Sequence, residues 1–503
     1  MRLFGLALVM LVVCCLAACN PSTVAKSPAA AAGDAQQKAA PAGSQAKSPP
    51  IDQSQLSSTP AAPDDLPNLW TRQEGVDWPV FLGPSGNSQS TETGILTEWP
   101  ATGLKLVWQR PLGEGYGAPA ISRGRLFQFD RFVNRARLYC LNAETGEPIW
   151  QHEYSTDYRD LYGYNNGPRC SPVVDGDRVY AYGVDGMLFC CQAADGKLVW
   201  QVDTIKEFGV IQNFFGVGST PVIEGDLLIA MVGGSPPESQ SVPPGALNRV
   251  VANGSGLVAF DKRTGQVRYK AADELASYAS LKLATIAGRR WCFAFCRDGL
   301  VGMEPASGQV DFHYPWRDPG LESVNASVPV VAGGEVFISE TYGPGSTLLK
   351  VAPGKHEVVW QDSPRQRAKA MQTHWNTPVY QDGFLYGSSG RHEYNAELRC
   401  IEWKTGKVQW SQPGMARASL LWIDGHFLCL GELGQLWLLK ANPKKFEQVA
   451  VIDYADPALG KQLLGAPAPV LKAPAWAAPI VSHGLLYLRG DDRLICLELI
   501  PAG

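Results

Sequence analysis

Beyond its first nineteen residues the sequence has no long hydrophobic run, since the later apolar stretches are short and interrupted. A second membrane-spanning helix, which needs about 20 consecutive apolar residues, is therefore not expected. The chain also lacks a block of basic residues, with 44 Lys and Arg against 48 Asp and Glu and a net charge of −4. Without such a block little counterion release is available, so nucleic acid is not expected as a partner.

Motifs for hydrolytic or zinc chemistry are lacking as well. No His-Glu-x-x-His sequence and no Ser/His/Asp order stands out. Nine cysteines follow Cys19, and four of them, Cys140, Cys190, Cys400 and Cys496, occupy one position of a repeat described below. This placement favours free thiols in small apolar slots over a zinc site. Disulfides stay an alternative because the chain carries an export signal.

The N-terminus carries that export signal. Arg2 precedes the apolar run Leu3–Leu16, and Leu16-Ala17-Ala18-Cys19 resembles a bacterial lipobox. The resemblance implies cleavage before Cys19 and lipid attachment to that residue, whereas an ordinary signal peptide or a retained anchor is the alternative. Because Asn20 rather than Asp follows, the resemblance favours the outer membrane, facing the periplasm.

A low-complexity segment separates the signal from the rest of the chain. Pro21 to about Asp65 is rich in Ala, Pro, Ser, Gln and Lys and has no aromatic residue, so it cannot bury enough apolar surface to fold. We predict a signal peptide over residues 1–19, a disordered tether over residues 20–75 and a folded domain over residues 76–503.

One strand–turn–strand pattern recurs in the folded part, with a small residue ten positions before an aromatic and a turn glycine between them. It is found at Leu138–Trp150, Leu188–Trp200, Leu257–Tyr269, Leu300–Phe312 and Leu398–Trp410. A period of about 40–50 residues indicates a repeat fold made of strands. Each unit is also introduced by a strand, often beginning at Pro, and a tight turn such as Asp175-Gly176-Asp177.

Eight units can be counted, and the last lacks its fourth strand. They begin near Gly117, Cys170, Ser219, Tyr278, Asn325, Asn376, Arg417 and Trp476. The missing strand is supplied by Leu104–Gln109, which precedes unit one and contains the repeat's Trp. Closing the ring in this way removes exposed sheet edges. The sequence therefore predicts an all-β fold, an eight-bladed β-propeller of four-stranded antiparallel blades whose last blade is closed by the N-terminal strand. By analogy with free rings of this kind, we expect a monomeric ring.

The glycine turn and the eightfold count resemble the PQQ-type (pyrroloquinoline-quinone) β-propeller family. The stretches Asp77–Pro84, Gly94–Pro100 and Gly113–Pro119 are similar to the lead-in of its BamB-like bacterial lipoprotein branch. The resemblance implies a lipid-anchored envelope scaffold that binds a protein partner, without a quinone and without catalysis. The long tether departs from that family pattern.

The alternative within the same fold is a quinoprotein dehydrogenase that oxidises an alcohol or sugar. Such enzymes bind PQQ against a Trp and calcium through Glu, Asn and Asp oxygens. No Glu, Asn and Asp set can be assigned to the channel-facing loops, and Cys190-Cys191 lies within a strand rather than above a quinone. We therefore expect no cofactor, no metal and no catalytic residue, with PQQ and calcium as the alternative.

The predicted binding residues lie on one end of the ring. Asp-Gly and Thr-Gly turns share the other end, here called the turn face, while the loops that enter first strands or join second to third strands form the loop face. Convergent polar and aromatic side chains around a channel are typical of a ligand or peptide pocket, although they could simply cap backbone groups. The candidates are Tyr116, Tyr164, Asn165, Arg169, Asn213, Asn325, His374, Trp375, Asn376, Arg391 and Arg417.

Overall fold

The computed structural model describes residues 66–502. The predicted signal peptide, the lipidation of Cys19 and most of the predicted tether lie outside the described residues, so those predictions stay predictions. No helix within residues 66–502 is long and apolar enough to cross a membrane.

The strands form eight four-stranded antiparallel sheets, which confirms the predicted eight-bladed β-propeller. The first four blades are β2 (Ala120–Ser122), β3 (Arg125–Phe132), β4 (Arg135–Asn142) and β5 (Pro148–Ser155); β6 (Val173–Asp175), β7 (Arg178–Tyr182), β8 (Met187–Gln192) and β9 (Leu198–Asp203); β10 (Val222–Glu224), β11 (Leu227–Met231), β12 (Leu257–Asp261) and β13 (Val267–Ala271); and β14 (Lys282–Ile286), β15 (Arg289–Phe295), β16 (Gly299–Met303) and β17 (Val310–Pro315).

The next three blades are β18 (Val330–Ala332), β19 (Glu335–Ser339), β20 (Ser346–Ala352) and β21 (Lys355–Gln361); β22 (Val379–Gln381), β23 (Phe384–Ser389), β24 (Glu397–Glu402) and β25 (Val408–Pro413); and β26 (Ala418–Ile423), β27 (His426–Gly431), β28 (Gln435–Lys440) and β29 (Gln448–Asp453). Blade eight contains β30 (Ile480–Ser482), β31 (Leu485–Arg489) and β32 (Arg493–Glu498), with β1 (Leu106–Pro111) as its outer strand.

Two short α-helices and two 3-10 helices lie in the connections. Helix α1 (Thr204–Phe208) follows blade two, and α2 (Pro457–Leu464) follows blade seven. The 3-10 helices Pro237–Ser241 and Leu247–Arg249 occupy the long connection between β11 and β12.

The N-terminal strand closes the ring, as predicted. β1 pairs antiparallel with β32, with Trp108 opposite Cys496. The indole of Trp108 then reaches blade one, where its Nε1 donates to the Ala143 carbonyl at 2.9 Å. The last blade is therefore built from both ends of the folded chain, so its stability depends on a contact between residues almost 400 positions apart in sequence.

The pairing of glycine and aromatic in the repeat has a steric cause. Gly146 has φ +70°, and a Cβ there would lie 2.7 Å from the Trp108 ring. The same contact joins Gly196 to Trp150, so the last aromatic of one blade lies flat on the turn of the next. Only glycine combines positive φ with such a close approach. The motif thus encodes the contact between blades rather than a feature of one blade.

The nine cysteines after Cys19 are all buried and free, as the repeat position suggested. Cys140, for example, is fully buried in the apolar cluster between blades one and two. Burial raises the pKa of its thiol far above the ordinary value, which keeps it protonated and unreactive.

The N-terminal boundary differs from the predicted one. Residues 66–75, assigned to the tether, pack on the turn face: Leu66 and Trp70 are 5% and 8% exposed. Trp70 stacks on His483 with ring centroids 4.1 Å apart, and Arg72 forms an ion pair with Glu498 at 2.6 Å. These apolar and charged residues bury enough surface to order the segment.

The following segment, residues 78–90, crosses the turn-face end of the central channel and is here called the floor. Trp78 bridges to Ile121 of blade one, while the Ser88 hydroxyl donates to the Leu420 carbonyl of blade seven at 2.5 Å. Lys282 of blade four donates to the Ser85 carbonyl at 2.8 Å. The floor therefore contacts blades on opposite sides of the ring and closes the channel at that end.

Candidate functional site

A cavity of about 450 Å³ occupies the loop-face end of the channel. Its wall is formed where the first strands of the blades begin, and Phe81 and Leu82 of the floor lie at its closed end. Its volume falls within the usual range for small-molecule or peptide pockets. A ligand must enter and leave through the loop face, because the floor blocks the other end.

Hydroxyl groups at the strand starts link adjacent blades below the cavity rim. The Ser171 amide donates to Oγ1 of Thr220 at 3.2 Å, and the Thr220 amide donates to Oγ of Ser280 at 3.0 Å. The Val328 amide donates in the same way to Oγ1 of Thr377 at 3.1 Å. Because each hydroxyl satisfies a backbone donor of the neighbouring blade, the wall is pre-organised before any ligand arrives.

Three large aromatic rings form a slot on one side of the cavity, here called the aromatic slot. The Trp476 ring centroid lies 4.6 Å from that of Tyr116 and 5.5 Å from that of Trp375. Burial raises the pKa of Tyr116 to about 12, so its phenol stays neutral at physiological pH. The slot therefore offers flat, uncharged faces to a planar or apolar group.

Arg417 supports this slot from behind. Its Nε donates to Oε1 of Glu432 at 2.9 Å, and its Nη2 donates to Oε2 at 2.5 Å. Trp476 Nε1 donates to the same Oε2 at 2.9 Å. Glu432 is only 3% exposed, so this paired geometry neutralises a buried carboxylate and fixes both side chains.

His374 connects Arg417 to Tyr342, which lies in the β19–β20 loop of blade five. Its Nδ1 lies 3.2 Å from Arg417 Nη1, and its Nε2 lies 3.3 Å from the Tyr342 hydroxyl. Burial and the positive charges of Arg417 and Arg391 lower the pKa of His374 to about 3. The imidazole is therefore neutral at physiological pH. Since a guanidinium can only donate, Nδ1 is the acceptor and Nε2 carries the proton.

Arg391 lies at the rim and is exposed. Its guanidinium sits over the Tyr342 ring, 4.4 Å from the centroid, and its backbone carbonyl accepts from Arg417 Nη1 at 3.1 Å. Within residues 66–502 no carboxylate lies within the 4.0 Å ion-pair distance of this guanidinium. Arg391 is thus an anchored cation without a counter-ion in the described part of the chain.

Arg169, by contrast, is already paired. Its Nη2 donates to Oδ2 of the buried Asp160 at 2.6 Å, and its Nη1 donates to the Gly167 carbonyl at 2.6 Å. Its guanidinium also lies 5.8 Å from the Tyr116 ring centroid. Arg169 therefore shapes the wall but has little remaining hydrogen-bonding capacity for a ligand.

The structure brings most of the sequence-predicted residues to the cavity. Those that line it are Tyr116, Tyr164, Arg169, His374, Trp375, Asn376, Arg391 and Arg417. Among them Asn376 is almost fully buried and its Nδ2 donates to the Ser388 carbonyl at 3.1 Å, so its amide also caps the backbone.

Three predicted asparagines lie away from the cavity. The Asn165 Oδ1 accepts from the Gly167 amide at 2.8 Å, and the Asn213 Oδ1 accepts from the Phe214 amide at 2.8 Å. Asn325 donates to the Cys296 carbonyl at 2.8 Å. All three stabilise loop backbone, the alternative that the sequence left open: Asn165 and Asn213 accept from amides of their own chain neighbours, whereas Asn325 bonds a carbonyl 29 positions away.

Several residues of the cavity were not selected from the sequence. Tyr278 and Trp476 were identified only as the starts of repeat units, and that position alone would have placed them at the rim. Tyr342, Phe215 and His392 also line the cavity from loops. For Tyr342 no sequence signal was available, because its role depends on which loop of blade five reaches Arg391.

The residues present do not form a calcium–PQQ site. Calcium takes carboxylate and carbonyl oxygens, yet the residues that line the cavity include no Asp and no Glu. The buried acids Glu432 and Asp160 are each paired with an arginine, and the buried Glu340 accepts from the backbone amides of Tyr342 and Gly343. No group of three His, Cys, Asp or Glu residues in the described chain is arranged to hold a metal ion. The expectation that no cofactor binds stays a prediction.

Comparison with known proteins then places the chain in a family. The family model described as "Outer membrane protein assembly factor BamB" matches residues 92–236 and 237–412, well over half of the chain. The chain belongs to this BamB family of PQQ-like repeats. This confirms the family resemblance inferred from the lead-in segments and the glycine turns.

Individual BamB relatives are distant. The chain is 23% identical over 174 residues to BamB of Shewanella oneidensis, covering 31% of the chain and 41% of that protein. It is 22% identical over 279 residues to BamB of Yersinia pestis, covering 52% of the chain and 60% of that protein. The matched region thus spans less than two thirds of either relative's length.

The crystal structure of BamB from Moraxella catarrhalis shares the fold. It superposes with a TM-score of 0.50 at 12% identity, covering 79% of this chain and 98% of that one. At this identity the likeness concerns architecture alone.

Proposed function

We propose that the protein is a lipid-anchored scaffold of the outer membrane, facing the periplasm, which binds a protein partner in outer-membrane protein assembly. Membership of the BamB family supports the assembly role. The observation that carries the binding role is the blind cavity on the loop face, which combines flat aromatic walls with the guanidinium of Arg391, which has no ion-pair partner among residues 66–502.

The position of the N-terminal segment supports this orientation. The Leu66 carbonyl accepts from Arg123 Nη1 at 2.9 Å, and Arg123 lies in the β2–β3 turn. The chain therefore joins the ring at the turn face. A tether that reaches the membrane from this point leaves the loop face free to receive a partner.

The protonation states of the deeper cavity residues support a role without catalysis. A general base needs a pKa near the working pH. The pKa of His374 is lowered to about 3, and the pKa values of Tyr116 and Tyr342 are raised to about 12. None of these three groups exchanges a proton readily near neutral pH.

Photo-crosslinking in intact cells tests the scaffold role. A photoreactive side chain is placed at Tyr394, which is 85% exposed on the loop face, and separately at Val408, which lies on the outer strand of blade six. We expect the Tyr394 position to capture a component of the outer-membrane β-barrel assembly machinery, identified by mass spectrometry, and Val408 to capture none. Capture only at Val408 would refute the loop face as the docking surface, and capture at neither would refute the scaffold.

Replacement of the predicted lipidated cysteine tests the anchor. With Cys19→Ala we expect the protein to leave the membrane fraction and appear in the soluble periplasmic fraction. Cys429→Ala is the matched control, since Cys429 is buried in blade seven and cannot carry a lipid. A Cys19→Ala protein that still sediments with membranes would contradict lipid anchoring.

A further inference from the structure

We propose that Tyr342 and Arg391 together form a carboxylate-binding wall, which takes the free C-terminal end of a polypeptide while the last side chain packs against the rings of the aromatic slot. This inference rests on the proposed function, because it names the chemistry of the partner segment that the scaffold would bind. Neither residue belongs to the repeat pattern, and both reach the cavity from loops.

The first observation is a hydrogen-bond chain with a fixed direction. Glu432 orients Arg417, and Arg417 donates to Nδ1 of His374. His374 must then carry its proton on Nε2 and donate it to the Tyr342 oxygen at 3.3 Å. With its oxygen already accepting, the Tyr342 hydroxyl directs its own proton onward. This series of hydrogen bonds therefore ends at the Tyr342 hydroxyl, which can donate its proton to an acceptor outside the series.

The second observation is the cation beside that donor. The Arg391 guanidinium lies on the face of the same Tyr342 ring, and its loop is fixed by the Arg417 hydrogen bond to its carbonyl. A guanidinium and a hydroxyl on one wall supply several donors and no acceptor, the combination that suits a carboxylate. The same donors would repel an ammonium group, and an amide would offer them a neutral carbonyl oxygen in place of a charged carboxylate.

The surrounding acids bear on how the wall would meet a ligand carboxylate. The residues that line the cavity contain no carboxylate, and Glu432 and Asp160 are neutralised from behind. Two acids lie near the wall: Glu322 accepts a hydrogen bond from the Tyr162 hydroxyl at 3.3 Å, and the buried Glu340 accepts from the Tyr342 backbone amide at 2.7 Å. Neither lines the cavity, so a ligand carboxylate would meet the Arg391 guanidinium and the Tyr342 hydroxyl with no carboxylate on the cavity wall itself.

The shape of the site favours a chain end over a passing segment or a free small acid. The floor prevents a chain from threading through the ring, so only an end or a side chain can be inserted. Aromatic residues also continue outward from the cavity: Phe215 lies 6.1 Å from Tyr164 and 5.7 Å from the exposed Tyr162, centroid to centroid. A small acid would leave this outer row unused, whereas the residues before a chain end would lie across it.

Calorimetric titration of the full chain, purified in mild detergent, tests the inference. The probes are a ten-residue glycine–serine peptide that ends in phenylalanine with a free carboxylate, the same peptide as its C-terminal amide, and 3-phenylpropionate. We expect the free acid to bind at least about tenfold more tightly than the amide, because charge-assisted hydrogen bonds are lost in the amide. Equal affinity for acid and amide would overturn the carboxylate site, and equal affinity for peptide and 3-phenylpropionate would overturn the chain-end source.

Substitutions then assign the effect to the wall. Arg391→Gln should weaken binding of the free acid about tenfold or more, and Tyr342→Phe should weaken it by a smaller factor, since the ring under the guanidinium is kept. Arg263→Gln, the same charge change in an exposed turn of blade three, should leave the affinity unchanged. Unchanged binding in both Arg391→Gln and Tyr342→Phe, with melting temperatures equal to the parent protein, would overturn the assignment.

This test separates the inference from the proposed function. If Arg391→Gln abolishes peptide binding and lowers photo-crosslinking from Tyr394, both are supported. If Arg391→Gln still crosslinks the assembly machinery at the parent level and the peptide does not bind the parent protein, the carboxylate wall is refuted while the scaffold stands.

Discussion

The two ends of the ring use polar side chains in opposite ways. On the turn face, Glu144 accepts from the amides of Thr71 and Arg72, and Glu92 accepts from the amides of Val76 and His483. On the loop face, a guanidinium and a phenol end a hydrogen-bond chain and still have donors free. One end satisfies its polar groups internally and closes the structure, while the other keeps unused donors that a ligand can take up.

This difference follows from chain connectivity rather than from the repeat. The segment 66–90 lies along the turn face and supplies partners to the groups there, whereas the loop face is built from connections within and between blades, among them the long β11–β12 connection. The repeat itself is similar in every blade. Functional asymmetry in this propeller thus arises from what lies outside the repeat.

The most damaging change should be removal of the closing segment. Deletion of residues 66–111 takes away the N-terminal packing, the floor and β1, so blade eight loses its outer strand and the channel loses its closed end. We expect a loss of more than about 5 kcal/mol in the free energy of unfolding, enough to abolish cooperative folding. Thermal unfolding followed by circular dichroism measures it.

A deletion within the predicted tether is the control. Removal of residues 25–60 should leave the melting temperature unchanged, because that stretch has the composition of an unfolded chain. If removal of residues 66–111 also left the melting temperature unchanged, ring closure by the N-terminal strand would be wrong.

Substitution of one tryptophan in the blade contact and one in the cavity tests whether ring closure and ligand binding depend on different residues. Trp108, 8% exposed, lies on the glycine turn of blade one, so Trp108→Ala should cost about 3–5 kcal/mol of unfolding free energy. Trp476 is half-buried in the aromatic slot, so Trp476→Ala should cost less while weakening peptide binding. Chemical denaturation and calorimetry of both variants measure the two effects. A larger stability loss for Trp476→Ala would contradict the division between closure and binding.

The floor should respond to pH through Lys282. Burial, with a smaller effect of Arg290, lowers the pKa of Lys282 from 10.5 to about 8. Below pH 8 both the folded and the unfolded states carry the proton and the burial cost is present in full. Between pH 8 and 10.5 the folded state releases the proton while the unfolded state retains it, so the free energy of unfolding should rise with pH.

Lys282→Met isolates this contribution. It removes the donor to the Ser85 and Gly86 carbonyls at every pH, so the loss of those bonds adds a constant offset. Between pH 7 and pH 10 we expect the stability of the parent protein to gain about 2 kcal/mol relative to the variant. A difference that does not change with pH would show that the ammonium group is solvated rather than buried.

The smallest expected signal is the heat released when PQQ and calcium are added to the protein. Titration of the protein with PQQ and calcium should release no measurable heat of specific binding, because no lining carboxylate can coordinate the cation. The same titration after addition of a chelator is the control. Tight, calcium-dependent binding at one equivalent would favour the quinoprotein alternative over the scaffold.

The sequence predicted the blade count and the closure because both depend on local repetition. Gly146 and Gly196 recur at fixed distances from an aromatic residue. A single fourth strand, near Trp108, precedes the first unit, and the last unit lacks its fourth strand. Of the predicted site residues, Trp375 and Arg417 line the cavity, whereas Asn213 and Asn325 cap loops. A loop asparagine has the same sequence signature in both roles, so only its neighbours in space distinguish them.

By itself the sequence determined the architecture, since strand periodicity, turn glycines and docking tryptophans repeat within each unit and do not depend on distant residues. Only the tertiary structure decided which end of the channel is blocked and which arginines are already paired. It also decided that the hydrogen-bond series from Glu432 ends at the Tyr342 hydroxyl. Those properties depend on contacts between loops of different blades, as between Tyr342 and Arg391, and no local pattern encodes them. Electrostatic pairing across the ring, rather than residue type, therefore decides which groups remain free for a ligand.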